Sequence, residues 1–167
     1  SLSIPISGLA PDTTYYCQVV AESAFGTTSQ AISPFKTSPD TTPLPDLVVI
    51  SLKSSNTGVP GGRIPVELVI KNAGPGDAGT FRAGFYLSTD NVIDASDIDT
   101  GWVCNYDSGL KAGISGTCSG SIDIPAALSL GIYLLGVIAD NRNELVESSR
   151  ENNTRIADTG PLEITAA

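Results

Sequence analysis

Ile64, Val66, Leu68 and Ile70 alternate with Arg63, Pro65, Glu67 and Lys71. A period of two puts every apolar side chain of such a run on one face of an extended strand, and an amphipathic helix does not have it. The pattern recurs at residues 47–50, at Phe81, Ala83, Phe85 and Leu87, and at 102–104. It returns at Cys118, Gly120, Ile122 and Ile124, over 132–139, and in a last run after Asn153. Turn chemistry separates the runs, most clearly at Pro60, Gly61 and Gly62 and again from Asn72 to Gly76. The spacing predicts an all-β, immunoglobulin-like seven-stranded sandwich over residues 46–167.

Upstream the reading is different. Leu2, Ile4 and Ile6 alternate as a strand, Pro11 to Thr13 make a corner, and a second strand runs from Tyr15 through Val19 to Ala21. A third strand follows over 31–37. Three strands over residues 1–38 leave one apolar face with no opposing sheet, so this unit is expected not to fold alone. It is completed by further polypeptide of the same chain or by strand exchange with another copy. The absent initiator Met is what a fragment or processed chain shows. Pro39, Pro43 and Pro45 mark residues 39–45 as an extended linker.

Eighteen acids against nine bases give a net charge of −9, which argues against nucleic acid or an anionic membrane as partner. No apolar run approaches the roughly 20 residues of a membrane span, and no secretory signal segment opens the chain. The chain has no His, which removes the usual general base, and no catalytic residue is expected. Cys104 and Cys118 bracket a Gly- and Ser-rich stretch between two strands, where a bridge would staple a hairpin and Cys17 would be left over. Two buried thiols in a reducing compartment are the alternative.

Asp90, Asn91, Asp94, Asp97 and Asp99 fall together without a basic side chain, so calcium is the natural cation to expect, backbone and water completing its shell. The competing expectation is a solvated loop of Asx turns. A second polar run, from Asp140 to Glu144 and on through Glu147, Glu151, Asn152 and Asn153, is expected to be solvated. In immunoglobulin topology it lies at the end of the sandwich opposite the first run. Asn152-Asn153-Thr154 makes Asn152 a candidate glycosylation acceptor. Asp-Thr-Gly occurs at Asp99 and at Asp158, as in aspartic proteases, but in loop or terminal positions that argue against catalysis. Trp102, Tyr106 and Tyr133 would make a sugar-stacking platform if they shared an exposed face; core packing explains Trp102 more simply.

Two resemblances complete the reading. The run Leu9, Pro11, Thr13, Tyr15, Cys17, Val19 and Ala21 resembles the tyrosine corner of fibronectin type III domains, with Phe35 and Thr37 resembling their closing strand; this implies a structural corner role for Tyr15. Residues 46–49, 69–74, 85–90, 124–125, 131–134, 139–140 and 147–153 resemble the CARDB family, a cell-adhesion-related bacterial domain. That resemblance implies a non-catalytic extracellular or cell-surface module of bacteria or archaea, acting as an adhesive or structural spacer. The alternatives are a filament subunit joined by strand complementation and a carbohydrate-binding accessory domain. Partners would be a protein or glycan surface ligand, or a second copy through strand exchange, with no membrane insertion.

Overall fold

Residues 4–166 are described in the computed structural model, and all of their regular structure is extended. They divide into two units between Thr42 and Pro43. Among the described residues there is no helix long and apolar enough to cross a membrane.

The first unit has four short strands, β1 (Thr14–Cys17), β2 (Val20–Ser23), β3 (Gly26–Ser29) and β4 (Ser33–Lys36). β1 pairs with β4 and β2 with β3, each pair antiparallel. The expected continuous strand from Tyr15 to Ala21 is therefore interrupted after Cys17, where the chain leaves one partner for another. Ile4 and Ile6 stand exposed and outside any strand, since no second sheet offers a face to bury them; Leu2 lies outside the described residues. The Tyr15 ring stacks on Phe35 at 5.9 Å, and its hydroxyl accepts the Ala10 N–H at 2.9 Å. Tyr15 thus holds the turn that precedes its own strand.

The second unit is the sandwich. It comprises β5 (Leu47–Ser54), β6 (Thr57–Gly58), β7 (Arg63–Asn72), β8 (Phe81–Ser88), β9 (Ile98–Tyr106), β10 (Ser115–Asp123), β11 (Gly131–Ala139), β12 (Thr154–Ile156) and β13 (Leu162–Ile164). One sheet is ordered β10-β7-β5; the other runs β6-β13-β11-β8-β9, with β12 also on β11. The expected seventh strand is split in two, because the turn at Asp158 to Gly160 interrupts its pairing with β11. Leu47, Leu52, Leu68, Ile70, Phe85, Leu87, Leu135 and Val137 face each other across the sheets with at most 1% exposure, each contributing about 2 kcal/mol of burial. The expected linker is shorter than residues 39–45, since Leu44 accepts the Gly76 N–H and Pro45 accepts the Ser148 N–H, which makes both part of the sandwich.

Asn72 fixes one end of the core. Fully buried, it accepts the N–H groups of Asp46 and Gly74 and donates to the carbonyls of Gly76 and Leu110, each within 2.7–3.1 Å. Every capacity of its amide is used, which is what burial of that group requires.

The two sides of the sandwich are closed by different means. On one, β9 and β10 run antiparallel without pairing, and their side chains meet across the seam. The Trp102 ring lies over Gly120, Cys104 is bonded to Cys118, and the Tyr106 ring lies over Gly116, so that a Cβ on either glycine would overlap an aromatic ring. The disulfide, with its Cα atoms 6.1 Å apart, joins the two sheets. It does not staple a hairpin, because the chain changes sheet between β9 and β10.

On the other side, β5 and β6 run parallel to the final segment. Leu47 N–H donates to Glu147 Oε2 at 2.8 Å, Val49 N–H to the Asn152 carbonyl at 3.2 Å, and Leu52 N–H to Asp158 Oδ2 at 3.1 Å. In return the Asp158, Glu163 and Thr165 N–H groups donate to the carbonyls of Leu52, Asn56 and Gly58 at 2.7, 2.8 and 3.0 Å. Partner numbers rise together, so the two stretches point the same way.

Replacing both Cys104 and Cys118 by serine is expected to lower the unfolding free energy by about 3 kcal/mol, the cost of freeing a loop of this length. The urea midpoint followed through Trp102 fluorescence measures it, and an unchanged midpoint would contradict the seam's role. Arg155, which donates to Asp158 at 2.9 Å, holds that carboxyl below its ordinary value of 3.8. A depressed carboxyl contributes stability above its unfolded value that is lost as pH falls through its folded one. Asp158→Ala should therefore cost about 1 kcal/mol at neutral pH. The gap to the unmutated protein should narrow as pH falls below the ordinary 3.8; a gap that stays constant or widens in acid would exclude the fastening.

Candidate functional site

The loop between β8 and β9 holds four of the expected calcium ligands and the start of β9 the fifth, Asp99, and each acid is turned onto nearby backbone. Asp90 Oδ1 accepts the Val92 N–H at 2.8 Å, and Asp94 Oδ1 accepts the Ser96 N–H and hydroxyl at 2.7 and 2.6 Å. Asp97 Oδ2 accepts the Asp94 N–H at 2.9 Å, and Asp99 Oδ1 the Gly101 N–H at 2.8 Å. Asn91 is exposed. The Ser96 hydroxyl bond holds the Asp94 carboxyl below its ordinary value. Among the described residues no three His, Cys, Asp or Glu side chains converge as a metal site would need. The hydrogen bonds of the four aspartates are those of Asx turns.

The second polar run is not the solvated loop its composition suggests. The side chains of Asp140 and Glu147 are both fully buried. Asp140, in a left-handed conformation at φ 47°, accepts the Glu144 and Leu145 N–H groups at 2.9 and 3.0 Å and Arg150 Nη2 at 3.1 Å. Glu147 takes Asn153 Nδ2 at 2.8 Å and Arg150 Nη1 at 3.4 Å in addition to the Leu47 N–H. Arg150 also donates to Asn143 Oδ1 at 2.8 Å and to the Leu145 carbonyl. One guanidinium thus serves two buried carboxylates, which could not be taken out of water unpaired. Burial pushes the Glu147 carboxyl up, the nearby Asp140 charge adding to the rise while Asn153, Leu47 and Arg150 oppose it.

Asn152 is drawn into the same structure. Its Nδ2, the atom that would carry a glycan, donates to Asp46 Oδ1 at 2.9 Å, and its Oδ1 is enclosed without a partner. The half-buried candidate acceptor thus also fastens the start of β5.

The two polar runs leave from opposite ends of the sheet, yet the loop between β8 and β9 folds back over its outer face. Ile93 fills the space left by Gly136, and Ala95 lines a pocket of about 170 Å³ with Asp140, Asn141, Asn143 and Asn153. That volume falls well short of the ~300 Å³ at which small-molecule pockets begin. Asn141 seals the same face, donating to Tyr86 Oη at 2.9 Å and accepting Arg82 Nε at 3.0 Å.

The Asp-Thr-Gly copies have separate structural duties, Asp99 in its turn and Asp158 on β5. The aromatic platform does not form. Trp102 packs on Phe85 at 5.0 Å, Tyr106 is buried against Phe81 at 4.5 Å, and Tyr133 is buried with its hydroxyl donating to the Ser129 carbonyl. Burial pushes the Tyr106 phenol up to about 12.

Comparison with known proteins gives a consistent result for the sandwich. No curated protein sequence matches the chain. The solution structure of a CARDB domain from Pyrococcus furiosus is 20% identical, covering 74% of this chain and 98% of its own, at a TM-score of 0.51. A domain of a Methanosarcina acetivorans protein named for the cell surface is 22% identical, covering 74% of this chain and 95% of its own, at 0.52. The crystal structure of the Pyrococcus domain in complex with di-metal ions is 19% identical over 77% of this chain and 100% of its own, and its TM-score of 0.47 is too low to carry an argument. The CARDB family profile matches residues 44–157, so the fibronectin type III reading of residues 1–38 lies outside the matched span. The match covers more than half of the chain, and the protein belongs to the CARDB family.

Proposed function

We propose that the protein is a non-catalytic module of the cell exterior, an adhesive or structural spacer that sets binding surfaces at a distance or joins them in series. Closure of the sandwich on both sides carries the reading. A sheet edge left open invites pairing with neighbouring chains, and here one side is sealed by the disulfide seam and the other by the parallel fastening of β5. The chain enters the sandwich at Leu44, beside Gly76, and leaves at Thr165, beside Gly58. Modules with their ends at opposite poles string together without folding back. The oxidised Cys104–Cys118 pair agrees with a compartment outside the reducing cytoplasm, and one similar domain comes from a protein named for the cell surface. The partner would be a protein or glycan on a facing surface.

For residues 4–42 a specific observation favours a second role. Tyr16, Val19, Phe25 and Ile32 are 72, 63, 101 and 61% exposed, more apolar surface than two pairs of short strands can cover. Strand complementation by another copy would bury it and join subunits into a filament.

Protease treatment of intact source cells tests the surface reading. The chain should be cleaved while cytoplasmic proteins survive, and its deletion should weaken attachment; a chain degraded only after lysis would contradict the proposal. For the second role, sedimentation of the purified chain should show ordered polymers with residues 4–42 protected from protease, whereas a monomer cleaved there would exclude complementation.

A further inference from the structure

We infer that this sandwich is built to carry tension along its length, and that the parallel run between residues 47–58 and 147–165 is the element that resists it. The inference deepens the spacer reading, on which it rests for its biological setting though not for its mechanics.

The geometry follows from the order of the bonds. Leu47, Val49, Leu52, Asn56 and Gly58 meet Glu147, Asn152, Asp158, Glu163 and Thr165 in the same sequence order. A pull on the two ends of the sandwich draws β5 and β6 one way and the final segment the other, along the strands. The hydrogen bonds lie across that pull and are loaded together, whereas an antiparallel hairpin pulled at its open end gives up one bond at a time. Leu47, Leu52, Leu162 and Ile164, all buried to within 2%, have to slide out of the core in the same event.

The seam on the other side supplies a second device. Cys104 and Cys118 are fourteen positions apart and join the two sheets in the middle of the chain. After the parallel run ruptures, the segment between them stays closed and cannot lengthen the protein. Rupture under force is governed by the unfolding barrier, not by equilibrium stability, so the test is mechanical.

Single molecules of the full chain would be stretched in two geometries: from the two chain ends, and from handles at Val59 and Ala166, which follow the paired parallel strands at the same pole and peel β13 from β6. End-to-end rupture is expected to need several-fold more force than peeling. Reduction of the disulfide is expected to lengthen the end-to-end extension gain by about 40 Å, fourteen residues at roughly 3.5 Å each less the 6.1 Å the bridge already spans. Equal forces in the two geometries would overturn the inference, and an extension gain unaffected by reduction would overturn the limiting role of the disulfide. A weak end-to-end rupture in a protein found on the cell surface would leave the spacer reading standing; a strong one in a protein found inside cells would remove that reading and keep the mechanics.

Discussion

Leu47 and Leu52 offer their backbone N–H groups to carboxylates 100 and 106 residues further along the chain, and much of the sandwich depends on those two bonds. β5 is the last strand of a three-stranded sheet, so its outer edge has no partner within that sheet. A buried N–H left unmade costs about 1–3 kcal/mol. Glu147 and Asp158 fill the gap, and backbone bonds to Asn152 and from Asp158 continue it. The outer edge of β5 is therefore secured only by the last part of the chain, a non-local contact of the kind that closes late in folding. The polar composition of residues 140–153 follows from this duty. Glu147 has to be buried to reach β5, Arg150 has to be close enough to neutralise it, and Asp140 orders the turn that brings Arg150 there.

The opposite side solves the same problem without hydrogen bonds between strands. β9 carries large side chains at Trp102 and Tyr106 where β10 carries Gly120 and Gly116, and the disulfide sits between these contacts. The seam holds because size is matched to absence of size, and the covalent bond keeps the two edges in register. The composition of β10, five of whose nine residues are Ser or Gly, would make a poor strand by propensity alone. Its place is set by a full antiparallel register with β7 and by what β9 lays over it.

Local periodicity made most of the sandwich legible in the sequence. The alternation at Ile64 to Ile70 and at Phe81 to Leu87 reports directly which side chains face the core, because the period of a strand does not depend on what lies across from it. What was not legible depends on distant partners. The Asp99-Thr100-Gly101 turn signal hides the first half of β9, whose pairing with β8 shifts register there. The disulfide reads as a hairpin staple until the chain is seen to change sheet between its two cysteines. Asp140, Glu147 and Asn152 have the composition of a solvated loop, and only their approach to Asp46 and Leu47 shows them to be structural. Asp158 reads as part of a protease motif until its bond to Leu52 is seen. A pairing of Glu147 with Arg150 three positions on was the one local signal available for the buried network, and exposed pairs at that spacing are too common to single it out.

Amide hydrogen exchange at Leu47 and Leu52 tests the fastening of β5 most directly, because it reads those two N–H groups one by one. In the unmutated protein both are predicted to exchange as slowly as the amides that join β7 to β10, through global unfolding. Glu147→Ala should speed exchange at Leu47, and Asp158→Ala at Leu52, while the amides between β7 and β10 stay protected. Rapid exchange at both leucines in the unmutated protein would contradict the account, since the first strand would then be held by its pairing with β7 alone.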